Sequence, residues 1–212
     1  MGSPLKKSLI YLEKINFETE NENMNIENTK MKKNIILIGM PACGKSTVGV
    51  LLAKKLGYRF IDSDLLIQES EGRLLHEIIE TDGADGFLAI EERVNLSIGE
   101  KGSSTEQGCV IATGGSAIYS EKAMKHFAET GIIVYLKMSY ASTEHRLGNY
   151  SHRGVVMPSG YTLRMLYDER CYLYEKYAML TVDEEKKTKR RYRSQDIGAT
   201  LEMLCLELEK VM

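Results

Sequence analysis

A short stretch near residue 40 carries the clearest chemical signal in the chain. It reads GMPACGKS from Gly39 to Ser46 and matches GxxxxGK[ST], a pattern typical of loops that cradle phosphate groups. Gly39 and Gly44 allow a tight turn whose N–H groups point at phosphate oxygens, and the helix expected next adds its positive end. Lys45 would supply a charge between the outer phosphates, and Ser46 a hydroxyl for Mg²⁺. We therefore predict a nucleotide site at Gly39, Ala42, Cys43, Gly44, Lys45, Ser46 and Thr47.

Two aspartates form a second candidate group. Asp62 and Asp64 end the apolar run in FIDSD, and ligands of open α/β sheets bind at the carboxyl ends of strands. Because residues i and i+2 of a strand share a face, both carboxylates are expected in one crevice. One would serve the shell of the metal, and the other would accept a proton from a substrate hydroxyl. The alternative is a strand-end aspartate that caps the next helix.

The elements that must position these residues alternate between short apolar runs and segments of helical period. This alternation indicates a parallel sheet covered on both faces. We predict a three-layer α/β fold with five parallel strands flanked by helices, a mobile lid at about 148–163 and an acceptor-binding helical segment at about 64–98. The predicted strands are 34–38, 58–61, 109–112, 132–136 and 179–182. The predicted helices include 46–56, 65–80, 86–98, 120–130 and 196–212.

Composition narrows the class of protein. A chain of 212 residues, 43% of them hydrophobic, suits one globular domain, which we place at 31–212. Residues 1–30 are rich in Asn and Glu and are interpreted as a flexible extension.

Charge and cysteine spacing exclude several partners. A net charge of -2 does not favour nucleic acid, and no apolar run approaches the roughly 18–20 residues of a membrane span. The four cysteines follow no zinc or disulfide pattern, which favours a reduced cytoplasm. We therefore expect a cytoplasmic protein with no nucleic-acid or membrane partner, and we take it to be a monomer.

The ordered set of motifs resembles the shikimate kinase family, whose members are P-loop kinases. In chain order, the phosphate loop that leads into FIDSD is followed by GRLLHEII, TGGS, VYLKM, RLGNYSHRGVV and LYDERCYLYEKYAMLTVD. The resemblance covers the chain from about Lys33 to the C-terminus. It implies ATP- and Mg²⁺-dependent phosphoryl transfer to a hydroxyl of a small metabolite, with shikimate as the leading acceptor.

The resemblance also implies roles for the matching residues on the nucleotide side. Lys45 and Ser46 would serve the ATP phosphates and Mg²⁺. Asp62 would help to hold the metal through water, and Asp64 would contact the acceptor hydroxyl as the candidate base. Arg146 would lie against the adenine.

The implied roles on the acceptor side fall on a turn and two arginines. Gly114 and Gly115, in the TGGS turn, would approach the acceptor closely because they carry no side chain. Arg153 would descend with the lid onto the transferring phosphate. Arg170 would grip the carboxylate of the acceptor.

The chain departs from the family mainly on the acceptor side. Where the family carries Phe-Arg-x-x-Glu, residues 87–91 read FLAIE, so Leu88 replaces an arginine, and Ser116 replaces the third glycine of the turn. A hydrogen bond to a charged group contributes about 1.5–3 kcal/mol, so its loss would weaken a carboxylate ligand about 10- to 150-fold. Arg73 and Arg93 are the candidate replacements, although Arg93 lies about 140° around the helix from Leu88.

Three alternatives stay open at this point. The acceptor could be a different polyol or hydroxy acid, with Leu88 packed on an apolar part of it. The chain could be a nucleotide-binding protein that has lost transfer activity, although it retains Lys45, Asp62, Asp64 and Arg153. The third alternative is a nucleoside monophosphate kinase. Its acceptor is an anionic phosphate, which the acidic side chains of Asp62 and Asp64 disfavour.

Overall fold

The computed structural model describes residues 33–147, 155–158, 160–183 and 197–212. Contacts within Lys33–Met212 group these residues into one compact unit. The predicted extension 1–30, Arg153 and much of the predicted lid lie outside the described residues.

Five parallel strands form the sheet, in the order β2-β3-β1-β4-β5. The central strand β1 is buried at every position, because β3 and β4 pair with its two edges and helices cover the faces, and this explains its unbroken apolar run. The strand bounds are β1 (Asn34–Ile38), β2 (Arg59–Asp62), β3 (Cys109–Ala112), β4 (Gly131–Lys137) and β5 (Leu180–Asp183). The predicted α/β class and the five predicted strands are confirmed, with ends shifted by at most one residue.

The described α-helices connect these strands. They are α1 (Lys45–Leu56), α2 (Ser63–Glu71), α3 (Leu75–Ser97), α4 (Glu121–Thr130), α5 (Tyr140–Leu147), α6 (Leu163–Tyr177) and α7 (Ile197–Leu208), and a short 3-10 helix spans Ala117–Tyr119. None of the helices in the described ranges has the length and apolar character that crossing a membrane requires.

The prediction of one helix over 65–80 and another over 86–98 is wrong. Helix α2 ends at Glu71, and Gly72 caps it with a φ of 63°, the left-handed conformation that glycine adopts readily. Helix α3 then begins at Leu75, where Glu77 accepts a hydrogen bond from the backbone N–H of Leu74 over 2.7 Å. It continues through a kink at Gly83 to Ser97. The break between the two helices therefore lies between Glu71 and Leu75, earlier than the predicted break between residues 80 and 86.

Two apolar clusters hold the elements in place. The larger one surrounds β1 and includes Leu52 of α1, Phe127 of α4 and Leu204 of α7. The smaller one joins α2 and α3 to the described end of the predicted lid, and its members are Ile67, Ile78, Phe87, Val94 and Val156. The second cluster fixes the helical segment that faces the carboxyl ends of the strands.

Candidate active site

The phosphate loop runs from the end of β1 into α1 and depends on two glycines. Gly39 has a φ of 148°, and a Cβ there would lie 2.7 Å from the carbonyl oxygen of Leu136 on β4. Gly44 has a φ of 91°. Ala42 also takes a positive φ, 64°, which is uncommon for a residue with a side chain. The loop is therefore a tight turn of the kind that GxxxxGK[ST] predicts.

Lys45, the first residue of α1, is buried beneath this loop. Its Nζ donates hydrogen bonds to the carbonyl oxygens of Gly39, at 2.8 Å, and Met40, at 3.0 Å. The Sγ atom of Cys43 lies 3.8 Å from the same nitrogen. The ammonium is thus held at the loop, where it can meet an anion.

Arg146 reaches the loop from α5, far away in sequence. Its Nη1 donates to the carbonyl oxygen of Ala42 over 3.3 Å, although 104 positions separate the two residues. The structure therefore brings Arg146 to the predicted nucleotide side.

A hydroxyl and a carboxylate meet beside the loop. Ser46 Oγ donates to Asp62 Oδ2 over 2.6 Å, and Asp62 Oδ1 accepts from the backbone N–H of Asp64 over 3.1 Å. Asp62 thus caps the N-terminus of α2, as the alternative reading of this residue expected, while it also faces Ser46. Hard cations such as Mg²⁺ prefer oxygen ligands of these two types.

Asp64 lies in the first turn of α2, so the argument that it shares a strand face with Asp62 is wrong. The proximity of the two carboxylates comes instead from the immediate start of the helix after β2. The pKa of Asp64 is raised to about 6, chiefly by desolvation and also by the neighbouring Asp62 charge, while Lys45 acts in the opposite direction. Asp64 is therefore an unusually basic carboxylate next to the phosphate loop.

The Gly114-Gly115 turn passes between acidic and basic groups. A Cβ on Gly114 would lie 2.8 Å from Asp64 Oδ1 and would collide with Glu91 Oε1. A Cβ on Gly115 would lie 3.0 Å from Arg170 Nη1 and 2.9 Å from Pro41. Only glycine fits at both positions, so this backbone runs close to the groups that would contact an acceptor.

Arg170, on α6, is buried and fixed by contacts distant in sequence. Its Nη2 donates to the carbonyl oxygen of Val156 over 2.6 Å, and its Nε donates to the hydroxyl of Tyr119 over 3.3 Å. Its guanidinium also lies 5.4 Å from the centre of the Tyr119 ring. The Nη1 edge beside Gly115 points toward the turn, where it can meet a carboxylate.

Glu91 is a member of this site that the residue-by-residue prediction missed. It is 1% exposed, lies near Ser116 and faces Gly114. Burial raises its pKa to about 7, while a hydrogen bond with Ser116 acts in the opposite direction. The available signal was its position at the end of the Phe-x-x-x-Glu pattern.

A cavity of about 330 Å³ collects most of the predicted residues. Leu88 is not among its lining residues and instead borders a neighbouring cavity with Glu91 and Ser116. The lining of the larger cavity comprises Pro41, Ala42, Gly44, Lys45, Ser46, Thr47, Asp64, Leu75, Phe87, Thr113, Gly114, Gly115, Ser116 and Val155.

Neither candidate replacement for the missing arginine is available to an acceptor. Arg73 pairs with Asp82 at 2.7 Å and with Glu71 at 3.4 Å. Arg93 pairs with Glu71 as well. Both guanidiniums are thus engaged by carboxylates of α2 and α3, and Arg170 is the arginine that the structure places beside the turn.

The fold and the site together define a P-loop kinase, and comparisons with known proteins agree. A sequence model of the shikimate kinase family matches residues 41–204. The shikimate kinase of Actinobacillus succinogenes is 34% identical over 160 residues, which cover 74% of this chain and 89% of that protein. The chain therefore belongs to the shikimate kinase family.

Solved structures show the same similarity. The shikimate kinase of Acinetobacter baumannii, solved in complex with shikimate, is 28% identical with a TM-score of 0.70, covering 85% of this chain and 96% of that one. The shikimate kinase of Aquifex aeolicus is also 28% identical, with a TM-score of 0.67 and coverage of 83% and 96%.

Proposed function

We propose that this protein transfers the γ-phosphoryl group of ATP to a hydroxyl of shikimate. The observation that carries the proposal is the Gly114-Gly115 turn, which has Asp64 beside Gly114 and Arg170 beside Gly115. An acceptor that carries both a hydroxyl and a carboxylate needs a base near the hydroxyl and a cation near the carboxylate. The similarity to a kinase solved with shikimate supports the choice of acceptor.

Asp64 is the proposed base. At neutral pH a carboxyl with a pKa of about 6 is mostly ionised, yet it is more basic than an ordinary aspartate. Since Lys45 and Asp64 line the same cavity, the acceptor hydroxyl and the terminal phosphate of ATP would meet between them. Phosphoryl transfer depends mainly on such positioning and on charge neutralisation.

The nucleotide side is assigned to the loop and its neighbours. The N–H groups of the loop and Lys45 would hold the phosphates, Arg146 would lie against the adenine, and Arg153 would complete the charge neutralisation from the lid. Ser46 and Asp62 fit Mg²⁺, which takes one or two protein oxygens and completes its shell with phosphates and water. When bound, the ion would neutralise phosphate charge.

Arg170 is assigned to the carboxylate of shikimate. The side chain is already immobilised by Val156 and Tyr119, so little further ordering is needed when an anion binds. We also infer that the protein acts as a cytoplasmic monomer, in a compartment where its four cysteines stay reduced.

A coupled ADP-release assay with Mg-ATP and shikimate tests the proposal. The same assay is run with a panel of hydroxy acids and polyols, since Leu88 leaves a second acceptor class open. Saturable turnover of shikimate with kcat/KM above that of every other compound is the expected result. Turnover of another compound alone would establish a kinase of different specificity, and ATP binding without any turnover would establish a non-catalytic nucleotide-binding protein.

A further inference from the structure

Tyr174 of α6 is joined by a hydrogen bond to the turn that carries Gly114 and Gly115. Its hydroxyl donates to the carbonyl oxygen of Gly115 over 2.7 Å, although 59 positions separate the two residues. The side chain is 0% exposed. Burial raises the pKa of this hydroxyl, so it keeps its proton at neutral pH and remains a donor.

Helix α6 reaches the turn with two side chains. Arg170 and Tyr174 are four positions apart, so they lie on the same face of the helix. The Nη1 atom of Arg170 lies beside Gly115, and Tyr174 binds the carbonyl oxygen of the same residue. The helix therefore fixes both the predicted carboxylate-binding group and the backbone next to it.

The turn needs an anchor of this kind because it follows the end of a strand. Strand β3 ends at Ala112, so the pairing of the sheet does not extend to the two glycines. The N–H of Gly114 donates to Ser63 Oγ over 3.0 Å, which holds the first of them. Glycine is the residue with the greatest backbone freedom, so the pair is not fixed by its own sterics. The hydrogen bond from Tyr174 holds the peptide that follows Gly115.

The same hydrogen bond sets the direction in which the peptide between Gly115 and Ser116 faces. None of the described peptide bonds is cis, and the C=O and N–H of a trans peptide point in opposite directions. Gly115 and Ser116 line the cavity of the phosphate loop, whereas Tyr174 does not. Since the carbonyl points to Tyr174, the N–H of Ser116 faces the cavity, where it can donate to an oxygen of an acceptor.

The ring of Tyr174 packs on Tyr135 of β4. The two rings are stacked, with centres 5.1 Å apart and planes inclined by 27°. Both side chains are buried. Tyr135 directs its own hydroxyl to Cys171 Sγ, over 3.3 Å. The two tyrosines are therefore matched buried phenols with different hydrogen-bond partners, one on the turn and one on α6.

We propose that Tyr174 is a positioning residue of the acceptor site, which acts through Gly115 and not through contact with the acceptor. Its hydroxyl holds the peptide between Gly115 and Ser116 in the orientation that an acceptor oxygen meets, next to Arg170. The inference rests on the proposed function for the identity of the acceptor. It adds a residue outside the cavity that sets the affinity for that acceptor.

Tyr174→Phe and Tyr135→Phe form a matched pair for the test, because each removes one buried hydroxyl and keeps the ring. The values of kcat and of KM for shikimate and ATP are measured for both variants. Tyr174→Phe should raise the KM for shikimate about 3- to 10-fold, as expected for the loss of one hydrogen bond. Its KM for ATP should stay within about twofold of the parent, and kcat should change less than the KM for shikimate. Tyr135→Phe should keep both KM values near those of the parent.

A rescue variant separates the hydrogen bond from the shape of the side chain. Incorporation of 4-aminophenylalanine at position 174 places an N–H donor where the hydroxyl stood. The KM for shikimate should then return to within about twofold of the parental value. A KM that stays as high as in Tyr174→Phe would show that the donated hydrogen bond is not the cause.

A second measurement needs no substrate. The ¹⁵N relaxation of the Gly115 and Ser116 amides in the ligand-free, full-length protein reports their motion on the picosecond to nanosecond timescale. The order parameters of these amides should fall in Tyr174→Phe and remain parental in Tyr135→Phe. Unchanged order parameters in Tyr174→Phe would overturn the proposal, because the turn would then be held without the hydroxyl.

The kinetic comparison can overturn the proposal in two further ways. The KM for shikimate could stay parental in Tyr174→Phe, or it could rise equally in Tyr135→Phe, which would indicate a general effect of the buried pair. Absence of shikimate turnover by the parent would instead contradict the proposed function. The relaxation measurement then still decides whether Tyr174 holds the turn, and the compound that the parent does use replaces shikimate in the KM comparison.

Discussion

Asp64 of α2 and Glu91 of α3 both lie against the same face of Gly114. A side-chain carbon on Gly114 would lie 2.8 Å from Asp64 Oδ1 and would collide with Glu91 Oε1. Both carboxyls have a raised pKa, to about 6 for Asp64 and about 7 for Glu91, chiefly because of desolvation. The predicted acceptor site therefore contains two neighbouring carboxyls that both hold a proton to higher pH than ordinary carboxyls do.

Replacing Asp64 with asparagine tests the proposed base. The amide cannot accept the hydroxyl proton, so kcat for shikimate should fall about 10²- to 10⁴-fold. Binding of ATP, measured by calorimetry, should be retained. Asp85→Asn, an exposed aspartate in the same segment, is the matched control and should behave like the parent. If ATP binding were lost instead, Asp64 would belong to the nucleotide side.

Glu91 should make the protein less stable as the pH rises. Its folded pKa of about 7 exceeds the ordinary 4.5, so the folded state holds this proton more tightly than the unfolded chain does. The resulting stability is fully present below about pH 4.5 and is lost as the pH rises toward 7, by about 3 kcal/mol at ~1.4 kcal/mol per pKa unit. Denaturant unfolding at pH 5 and pH 8 measures this change, and Glu91→Gln should remove most of it.

Glu92→Gln is the matched control for this measurement. Hydrogen bonds from Ser120 and Lys122 lower the pKa of Glu92, so its contribution to stability has the opposite sign with pH. The Glu92 variant should therefore keep the decrease toward pH 8. An unchanged decrease in Glu91→Gln would show that Glu91 is not the group responsible.

Lys45→Ala should strongly reduce phosphoryl transfer while the fold survives. The ammonium is placed to meet the outer phosphates, and removal of one such charge typically costs about 10²- to 10³-fold in kcat. Circular dichroism should remain that of the parent, since the hydrogen bonds of the side chain within the described ranges go to loop carbonyls and Cys43. Lys54→Ala, at the exposed end of the same helix, is the control. Parental rates in Lys45→Ala would contradict the phosphate-loop assignment.

Arg170→Lys tests whether Arg170 binds the carboxylate of shikimate. Lysine keeps the charge but cannot form the planar two-pronged contact, so the KM for shikimate should rise about 10-fold or more. The KM for ATP should stay within twofold of the parent. Arg164→Lys, exposed on the same helix, controls for general effects on α6. An equal rise of both KM values would indicate a structural role for Arg170 instead.

The sheet and the phosphate loop were predictable because their signals are local. A continuous apolar run such as NIILI at Asn34–Ile38 indicates a strand that is buried on both faces. A spacing such as GxxxxGK[ST] predicts a phosphate-binding turn from neighbouring residues alone. The ends of the helices before and after Gly72 were less predictable. Gly72 ends α2 in the left-handed conformation, and the backbone of Leu74 then pairs with Glu77 at the start of α3.

The acceptor side was less predictable because its geometry is tertiary. Arg170 comes to Gly115 through hydrogen bonds to Tyr119 and Val156, which no spacing in the sequence reveals. The burial of Glu91 against Gly114 likewise follows from how α3 packs on the turn after β3. The resemblance to a family supplied Arg170 as a candidate, but it could not show that Leu88 borders a different cavity from Asp64.

Leu88→Arg tests whether the missing arginine limits the use of shikimate. The new guanidinium would start from the wall beside Glu91, whose carboxyl could pair with it and direct it toward the turn. A new hydrogen bond to the carboxylate of shikimate should improve kcat/KM about 10- to 150-fold, mostly through KM. Ala89→Arg adds the same charge one position away, at an exposed site, and should leave kcat/KM near the parental value. A Leu88→Arg variant that folds but gains nothing on shikimate, while losing turnover of another compound in the panel, would show that Leu88 marks a different acceptor.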